Sequence, residues 1–262
     1  MTNIPFVPAD YLSKLWRSII EFNMLENGDK VLIGLSGGKD SMFLTAALAE
    51  IQKHAPFTFE IACYTVDTMF SDKFPAEELK AFTGQYRLHH YHEKVNVMEA
   101  WEKKGSAPCY TCAYFRRAAT NRKAKELGFN KVALAHHYDD AVETFLLSLL
   151  TSGQLKTFLP VTYLTRSEIT VIRPLLYYRE KEIIDIVKEI NLNPLKNPCP
   201  YDGHTKRQDM KELIEKLQTI NPEIFEHLAS AMRQAPNTEL WPQVLEQKEM
   251  LQKFRSFWQN KS

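Results

Sequence analysis

The 262-residue sequence has no apolar run approaching the ~20 residues that a membrane-spanning helix needs. Its first residues lack the charged-then-apolar order of a secretory signal, so a cytoplasmic location is expected. An excess of one charge is missing too: 33 basic residues against 32 acidic ones leave a net charge of +1. Bulk charge therefore argues nothing about nucleic acid, and an RNA partner would need a local basic patch. Cysteine is scarce. Four of them, in a chain expected to be cytosolic, point to metal or redox chemistry before a disulfide framework. There is no internal repeat and no low-complexity tract. The Walker phosphate loop is also absent, because it needs four residues between its first Gly and the Gly-Lys pair.

What is present is ample for a core: 44% of the residues are hydrophobic. The chain is organised around Val31-Leu32-Ile33-Gly34-Leu35-Ser36-Gly37-Gly38-Lys39-Asp40-Ser41. Val31 to Leu35 reads as a short strand buried on both faces. Gly37 and Gly38 allow a sharp turn and a close approach to a ligand. Asp40 and Ser41 suit the first turn of the apolar stretch Met42 to Leu48. Backbone N–H groups, a hydroxyl and an ammonium then converge at a helix N-terminus, which is a phosphate cradle. The ordinary alternative is a plain strand-to-helix turn.

Along the chain, Tyr11 to Leu25 has helical spacing and ends at Gly28-Asp29. The helix after the phosphate turn runs to about Lys53, and Phe57 to Val66 reads as a second strand containing Cys63 as a small buried hydrophobe. Its end, Val66-Asp67, lies where an open α/β sheet binds ligands. Glu77 to Tyr86 is expected to be helical, and His89 to Val97 a strand with His89, His90 and His92 alternating along it. Cys109-Tyr110-Thr111-Cys112 stands at a helix start, followed by Arg116, Arg117, Arg122, Lys123 and Lys125. Lys131 to Ala135 reads as a buried strand. It hands His136-His137-Tyr138-Asp139-Asp140 to a helix over Ala141 to Leu150, which repeats the logic of the first motif. Thr151 to Arg166 reads as a loop, Ile169 to Ile172 as a strand, and Arg179 to Ile190 as an amphipathic helix. Cys199 sits in the rigid turn Asn197-Pro198-Cys199-Pro200. Helices are expected over Arg207 to Leu217, Pro222 to Met232 and Trp241 to Trp258, the last docking on the domain or on a second copy. Alternating strands and helices predict an α/β fold, a doubly wound parallel sheet, with segments 1–28, 29–190 and 191–262 as N-terminal helix, nucleotide domain and C-terminal helices.

Spacing alone leaves four readings of Cys109, Cys112 and Cys199. Cys109 and Cys112 form a redox pair; the three bind zinc with His204; the three hold a 4Fe-4S cluster with one iron open; or they are unrelated.

The Ser36-Gly37-Gly38-Lys39-Asp40-Ser41 string resembles the pyrophosphate loop of the PP-loop ATPases, whose fold is Rossmann-like. Four blocks together resemble the tRNA 2-thiocytidine synthetases within that family. They are Glu21-Phe22-Asn23-Met24 through Ser41; Cys109 to Cys112 with Arg116-Arg117; His136 to Asp140 with Glu143-Thr144; and Val171-Ile172-Arg173-Pro174-Leu175 with Tyr178-Arg179-Glu180-Lys181. The likeness spans roughly residues 11 to 232. By resemblance, Cys109, Cys112 and Cys199 hold a 4Fe-4S cluster, and the substrate is a tRNA cytidine. The related 2-thiouridine synthetases usually carry extra C-x-x-C zinc modules, for which four cysteines leave no room. Residues 67–108 match poorly and are expected to help choose the substrate. The family's usual Gly is replaced by Ala135, and the second Cys often found after the third ligand is absent.

The resemblance implies ATP with Mg²⁺ on Ser36, Gly37, Gly38, Lys39, Asp40 and Ser41, with adenine near Val66 and Asp67. Lys39, Asp40, Asp140 and Arg116 become the candidate catalytic residues, and His136 and Asp139 further nucleotide-site residues. Asp40, Asp139 and Asp140 are the candidates for Mg²⁺. Arg116 and Arg117 would face RNA or the leaving phosphate. The ordinary alternatives are satisfied polar residues at a strand end for His136 and His137, and a solvated helix face for the arginines. The sulfur donor would be a cysteine desulfurase or free sulfide, and a homodimer is the expected assembly. A lysidine-synthetase-like ligase, a thiolase for another base or small molecule, and a non-enzymatic sensor are the rival functions.

Overall fold

The computed structural model describes residues 6–69, 74–97, 108–195, 206–233 and 246–259. It divides into two compact units, residues 1–232 and 233–262. The first unit is built on six strands: β1 (Lys30–Gly34), β2 (Glu60–Asp67), β3 (His89–Lys94), β4 (Lys131–Ala133), β5 (Val161–Leu164) and β6 (Ile169–Ile172). They form one sheet in the order β3-β2-β1-β4-β6-β5. All neighbours are parallel except β5, which runs antiparallel to β6.

The sequence explains why the sheet is buried on both faces. Successive side chains of a strand point to opposite faces. In β1, Val31 and Ile33 join one core while Leu32 joins the other; in β2, Ile61 and Cys63 divide from Ala62 and Tyr64 in the same way. The first core is filled by helices α1 (Ala9–Glu21), α2 (Lys39–His54) and α6 (Glu180–Glu189). On the opposite face α4 (Pro108–Glu126) lies over β2, β4 and β6. Among the described residues, the remaining helices of this unit are α3 (Ala76–Gln85), α5 (Tyr138–Ser152), α7 (Lys206–Ile220) and α8 (Ile224–Ala231). A third, smaller core of Val142, Leu146, Ile214, Phe225 and Ala229 joins α5 to α7 and α8. α2 is apolar nearly all round, and Ser41 to Ile51 are buried. α1 is amphipathic, with Leu12, Leu15 and Ile19 inward at helical spacing.

One sequence expectation needs correction. The stretch from Thr151 to Arg166 is not all loop: it contains β5, whose Val-Thr-Tyr-Leu run is β-branched and aromatic and pairs with β6. The doubly wound, mostly parallel sheet is as expected, with β5 adding an antiparallel edge. Elsewhere the expected elements are found with ends shifted by a few residues, as where β2 starts at Glu60 rather than Phe57, while the expected helix start at Trp241 lies outside the described residues. Cys63 is fully buried in β2, and burial pushes its thiol pKa up to about 12, as expected of a core residue. His89 and His92 are exposed on β3, while His90 is half-buried against Thr65.

The end of the sheet away from the strand C-termini is tied by one carboxylate. Asp29, just before β1, is 1% exposed. It accepts hydrogen bonds from Glu26 N at 2.7 Å, Asn130 Nδ2 at 2.8 Å and Lys131 Nζ at 2.7 Å. The second unit contains α9 (Gln247–Gln259), on which Met250 and Leu251 are exposed. Among the described residues no helix is long and apolar enough to cross a membrane.

Candidate active site

In the sheet order, the chain proceeds outward from β1 in one direction through β2 and β3, and in the other through β4 and β6. The crevice outside the C-terminal ends of β1 and β4 is therefore the topological switch point, where open α/β sheets bind ligands. Two loops meet there, each carrying a strand into a helix.

The first loop is Leu35 to Gly38. Gly37 has φ +85°, a left-handed conformation that glycine adopts without strain. Its carbonyl accepts from Leu195 N at 2.9 Å. Gly38 is the N-cap of α2 at φ −71°, a region open to any residue. A Cβ there would meet Ser36 Oγ at 3.7 Å and nothing else within 4 Å. Ser36 N donates to Ser41 Oγ at 3.2 Å, the two hydroxyls are 3.1 Å apart, and Ser41 Oγ donates to Gly38 O at 3.0 Å. The serines thus brace the loop from within. The first N–H groups of α2 have no partners inside the helix, and its dipole favours an anion at that end. The open space over Gly38 fits a phosphate.

The second loop, Leu134 to His137, enters α5. His137 caps that helix: its N–H donates to Asp140 Oδ2 at 3.0 Å, and its Nδ1 accepts from Asp140 N at 3.4 Å. This reciprocal box sets both side chains at the crevice. His137 Nε2 is 3.6 Å from Asp140 Oδ2 and 4.0 Å from Asp40 Oδ1, and its Nδ1 is 3.7 Å from Asp139 Oδ2. The structure therefore brings Lys39, Asp40, Asp139 and Asp140 to one place, as the sequence predicts.

Four partners there were not anticipated as site residues. Lys39 Nζ bonds Asp40 Oδ2 at 3.1 Å and Glu180 Oε1 at 2.9 Å. Lys211 Nζ bonds Glu180 Oε2 at 2.6 Å, and Arg207 Nη1 bonds Asp140 Oδ1 at 2.9 Å. Asp139 accepts from Arg179 Nε at 3.1 Å and from Glu180 N at 2.7 Å. Only the first-turn acid of α6 and the i,i+4 pair of cations on α7 hint at these roles in the sequence.

The charges respond accordingly. Burial pulls the Lys39 pKa down, but Asp40 and Glu180 outweigh it and the net shift is upward. Burial likewise opposes ionisation of Glu180, yet Lys211 and Lys39 hold it down to about 2. Burial raises the Asp40 pKa against the pull of His137 and Lys39. Asp140 is lowered: burial works the other way, and His137 and Arg207 overcome it. Glu143, one turn further along α5, is pushed up to about 8 by burial and by the Asp140 charge. His136 is pushed down to about 4 by burial, and its ring lies 5.0 Å from that of Phe158. The Arg173 guanidinium sits 5.0 Å over the same ring, and burial with the nearby Arg117 lowers its pKa to about 10.

Asp40 Oδ1 is buried without a hydrogen-bond partner among the described residues. An orphaned carboxylate oxygen beside a phosphate cradle fits a divalent cation. Among the described residues no three His, Cys, Asp or Glu side chains are grouped as a metal site. Asp139 and Asp140 already serve Arg179, Glu180 and Arg207.

Of the remaining sequence candidates, Val66 and Asp67 close β2 beside β1, where Asp67 is buried and its Oδ1 accepts from Met69 N at 2.8 Å. Residues 109 and 112 lie at the start of α4, in its first and second turns, and Cys112 is half-buried. α4 returns to the starts of the strands: Lys125 reaches Glu168, just before β6, at 2.7 Å. Its first turn consequently lies at the same sheet end as the phosphate loop. Arg116 stands one turn beyond Cys112, half-buried, and Arg117 is exposed. Cys199 and His204 fall outside the described residues.

Comparison with known proteins agrees with this geometry. A PP-loop domain model matches residues 12–217. The tRNA-cytidine(32) 2-sulfurtransferase of Geobacter metallireducens is 33% identical over 221 residues, 82% of this chain and 86% of that protein. The enzyme of the same name from Alcanivorax borkumensis is 34% identical over 229 residues, covering 86% and 80%. In fold, the chain is similar to the U34-tRNA thiolase NcsA of Methanococcus maripaludis, solved with its 4Fe-4S cluster. The TM-score is 0.67 at 20% identity, over 85% of this chain and 77% of that one.

Proposed function

The chain belongs to the PP-loop family that includes the tRNA-cytidine(32) 2-sulfurtransferases, and on that premise we propose that it thiolates a tRNA cytidine in an ATP-dependent reaction. The observation that carries this reading is the convergence of the braced loop at Ser36 to Ser41 with Lys39, Asp40, His137, Asp139 and Asp140 at the sheet's switch point.

ATP binds with its phosphates over Gly38, held by the N–H groups of the first turn of α2, by Ser36 and Ser41, and by Lys39. Adenine lies toward Val66 and Asp67, with His136 and Asp139 completing the nucleotide site. The cytidine C2 oxygen attacks the α-phosphorus. The new O–P bond forms as the bond to the β-phosphate oxygen breaks, and pyrophosphate leaves. Lys39 neutralises the charge that develops on the transferring group, and positioning by the loop does most of the rest. Asp40, whose Oδ1 is unpartnered, would hold the Mg²⁺ that shares that neutralisation, and Asp140 would join it only on release from Arg207. Sulfide then adds to C2, the C2–O bond breaks, and AMP departs with the oxygen. Arg116 steers the RNA backbone or the departing phosphate.

Cys109, Cys112 and Cys199 are the thiols that would hold a 4Fe-4S cluster, whose open iron supplies a site that keeps sulfide close and deprotonated. Two features support this donor set. Residues 109 and 112 are three apart at the start of a helix, a spacing that puts them on one face. The described residues that flank the third thiol's segment both sit at the crevice, Leu195 on Gly37 and Arg207 on Asp140. The sulfur donor is a cysteine desulfurase or free sulfide, the location is cytoplasmic, and a homodimer is one assembly open to the chain.

The test is mass spectrometry of nucleosides from unmodified tRNA after anaerobic incubation with reconstituted protein, ATP, Mg²⁺ and sulfide. Oxygen replaced by sulfur in cytidine is the expected result. Sulfur in uridine would overturn the choice of base, and no thiolated nucleoside with cluster and ATP binding intact would overturn the substrate.

A further inference from the structure

The charges around Lys39 form a chain rather than a pair. One carboxylate, Glu180, serves two ammonium groups: Oε1 takes Lys39 at 2.9 Å and Oε2 takes Lys211 at 2.6 Å. Glu180 is fixed in place, being the first residue of α6 with its backbone N–H on Asp139 Oδ2. Lys211 is fixed too, since Arg207 one turn earlier on α7 is paired with Asp140. Lys39 and Glu180 are only 27% and 24% exposed, so their pairing is shielded from bulk water more than a surface ion pair is. A polyphosphate approaching Lys39 meets two carboxylates, Asp40 and Glu180, that repel it. Lys39 must loosen at least one of them to serve the phosphates. Glu180 is the one with a second cation already in place.

We propose that Glu180 and Lys211 are positioning residues that form a charge-exchange pair: Lys211 takes over Glu180 when Lys39 moves to the nucleotide. The inference rests on the reading of Lys39 as a phosphate ligand. In the ligand-free protein Lys39 is parked and aimed by Glu180. On nucleotide entry the carboxylate turns wholly to Lys211, which draws α7 toward α6.

A double-mutant cycle on the full chain tests this, with calorimetric titration of α,β-methylene ATP as the probe. Lys211→Met leaves Glu180 no cation but Lys39, and should weaken analogue binding about three- to tenfold. Lys211→Arg should restore it. Glu180→Gln should tighten binding by removing the competitor, and in that background Lys211→Met should have no further effect. A Lys211→Met loss that persists undiminished in the Glu180→Gln protein would mean plain charge attraction and overturn the exchange. So would a Lys211→Met protein that binds normally. Lys39→Met separates the premise from the inference. Unchanged analogue binding in that variant sinks the phosphate role of Lys39, whereas lost binding without Glu180–Lys211 coupling sinks the exchange alone.

Discussion

The two glycines of the phosphate loop should fail in opposite ways when each is changed to alanine. Gly37 has φ +85°, and forcing a Cβ into a left-handed conformation costs roughly 1–2 kcal/mol. The new Cβ would lie 3.4 Å from Leu195 Cβ and from Leu79 Cδ2, a snug contact that adds little. For a chain of this size that loss lowers Tm by roughly 2–8 °C. Gly38 has φ −71°, which alanine adopts freely, and its Cβ would meet only Ser36 Oγ at 3.7 Å. Alanine is a slightly worse N-cap than glycine but costs less chain entropy on folding, so the net change in stability should stay within ~0.5 kcal/mol. The methyl group would instead occupy the space assigned to a phosphate, and ATP affinity should fall at least about tenfold, or ~1.4 kcal/mol. Thermal unfolding and titration with α,β-methylene ATP read the two effects separately. A Gly38→Ala protein that binds the nucleotide normally would refute the placement of phosphate over this turn. A Gly37→Ala protein with unchanged Tm would refute the strained backbone.

Cys199→Ala should lose most bound iron and all thiolation, whereas Cys63→Ser should keep its iron, as read by iron analysis and the cluster's absorbance. Lys39→Ala should abolish pyrophosphate release while leaving iron content intact. Glu143 offers a pH test. Its carboxyl is raised to about 8 by burial and Asp140, from 4.5 in the open chain, so between those values the folded state binds the extra proton. Stability from this group is full below about pH 4.5 and is lost as pH rises toward 8, at up to ~1.4 kcal/mol per unit. Glu143→Gln should flatten that decline, measured as urea midpoints at pH 5, 6.5 and 8; parallel curves for the two proteins would contradict it.

The parts of the fold that the sequence made legible are those with a local code. Val31 to Leu48 carries its strand, turn and helix start in consecutive residues, and the structure follows them within one residue at the strand and at the start of α2. His136 to Asp140 is legible for the same reason, because the cap of α5 is made by a residue and its third neighbour. β5 was within reach too, since Val161-Thr162-Tyr163-Leu164 is a strand composition. It was hidden by the Gly and Pro of the surrounding stretch. Glu180, Arg207 and Lys211 were not legible as site residues. Glu180 lies 141 positions from Lys39, and an ion pair across that distance leaves no periodic signature in the chain. Such pairs are decided by where the helices dock, which is a property of the packed core.

Asp29 gives the molecule a fixed datum. One buried carboxylate ties the turn before β1 to the first residue of β4, so the two strands that deliver the phosphate loop and the His137 loop start from a common origin. Their far ends are then set by strand length, and the loops that carry Lys39 and Asp140 begin from matched positions. The spacing on which nucleotide chemistry depends is stored at the opposite end of the sheet from the site that uses it.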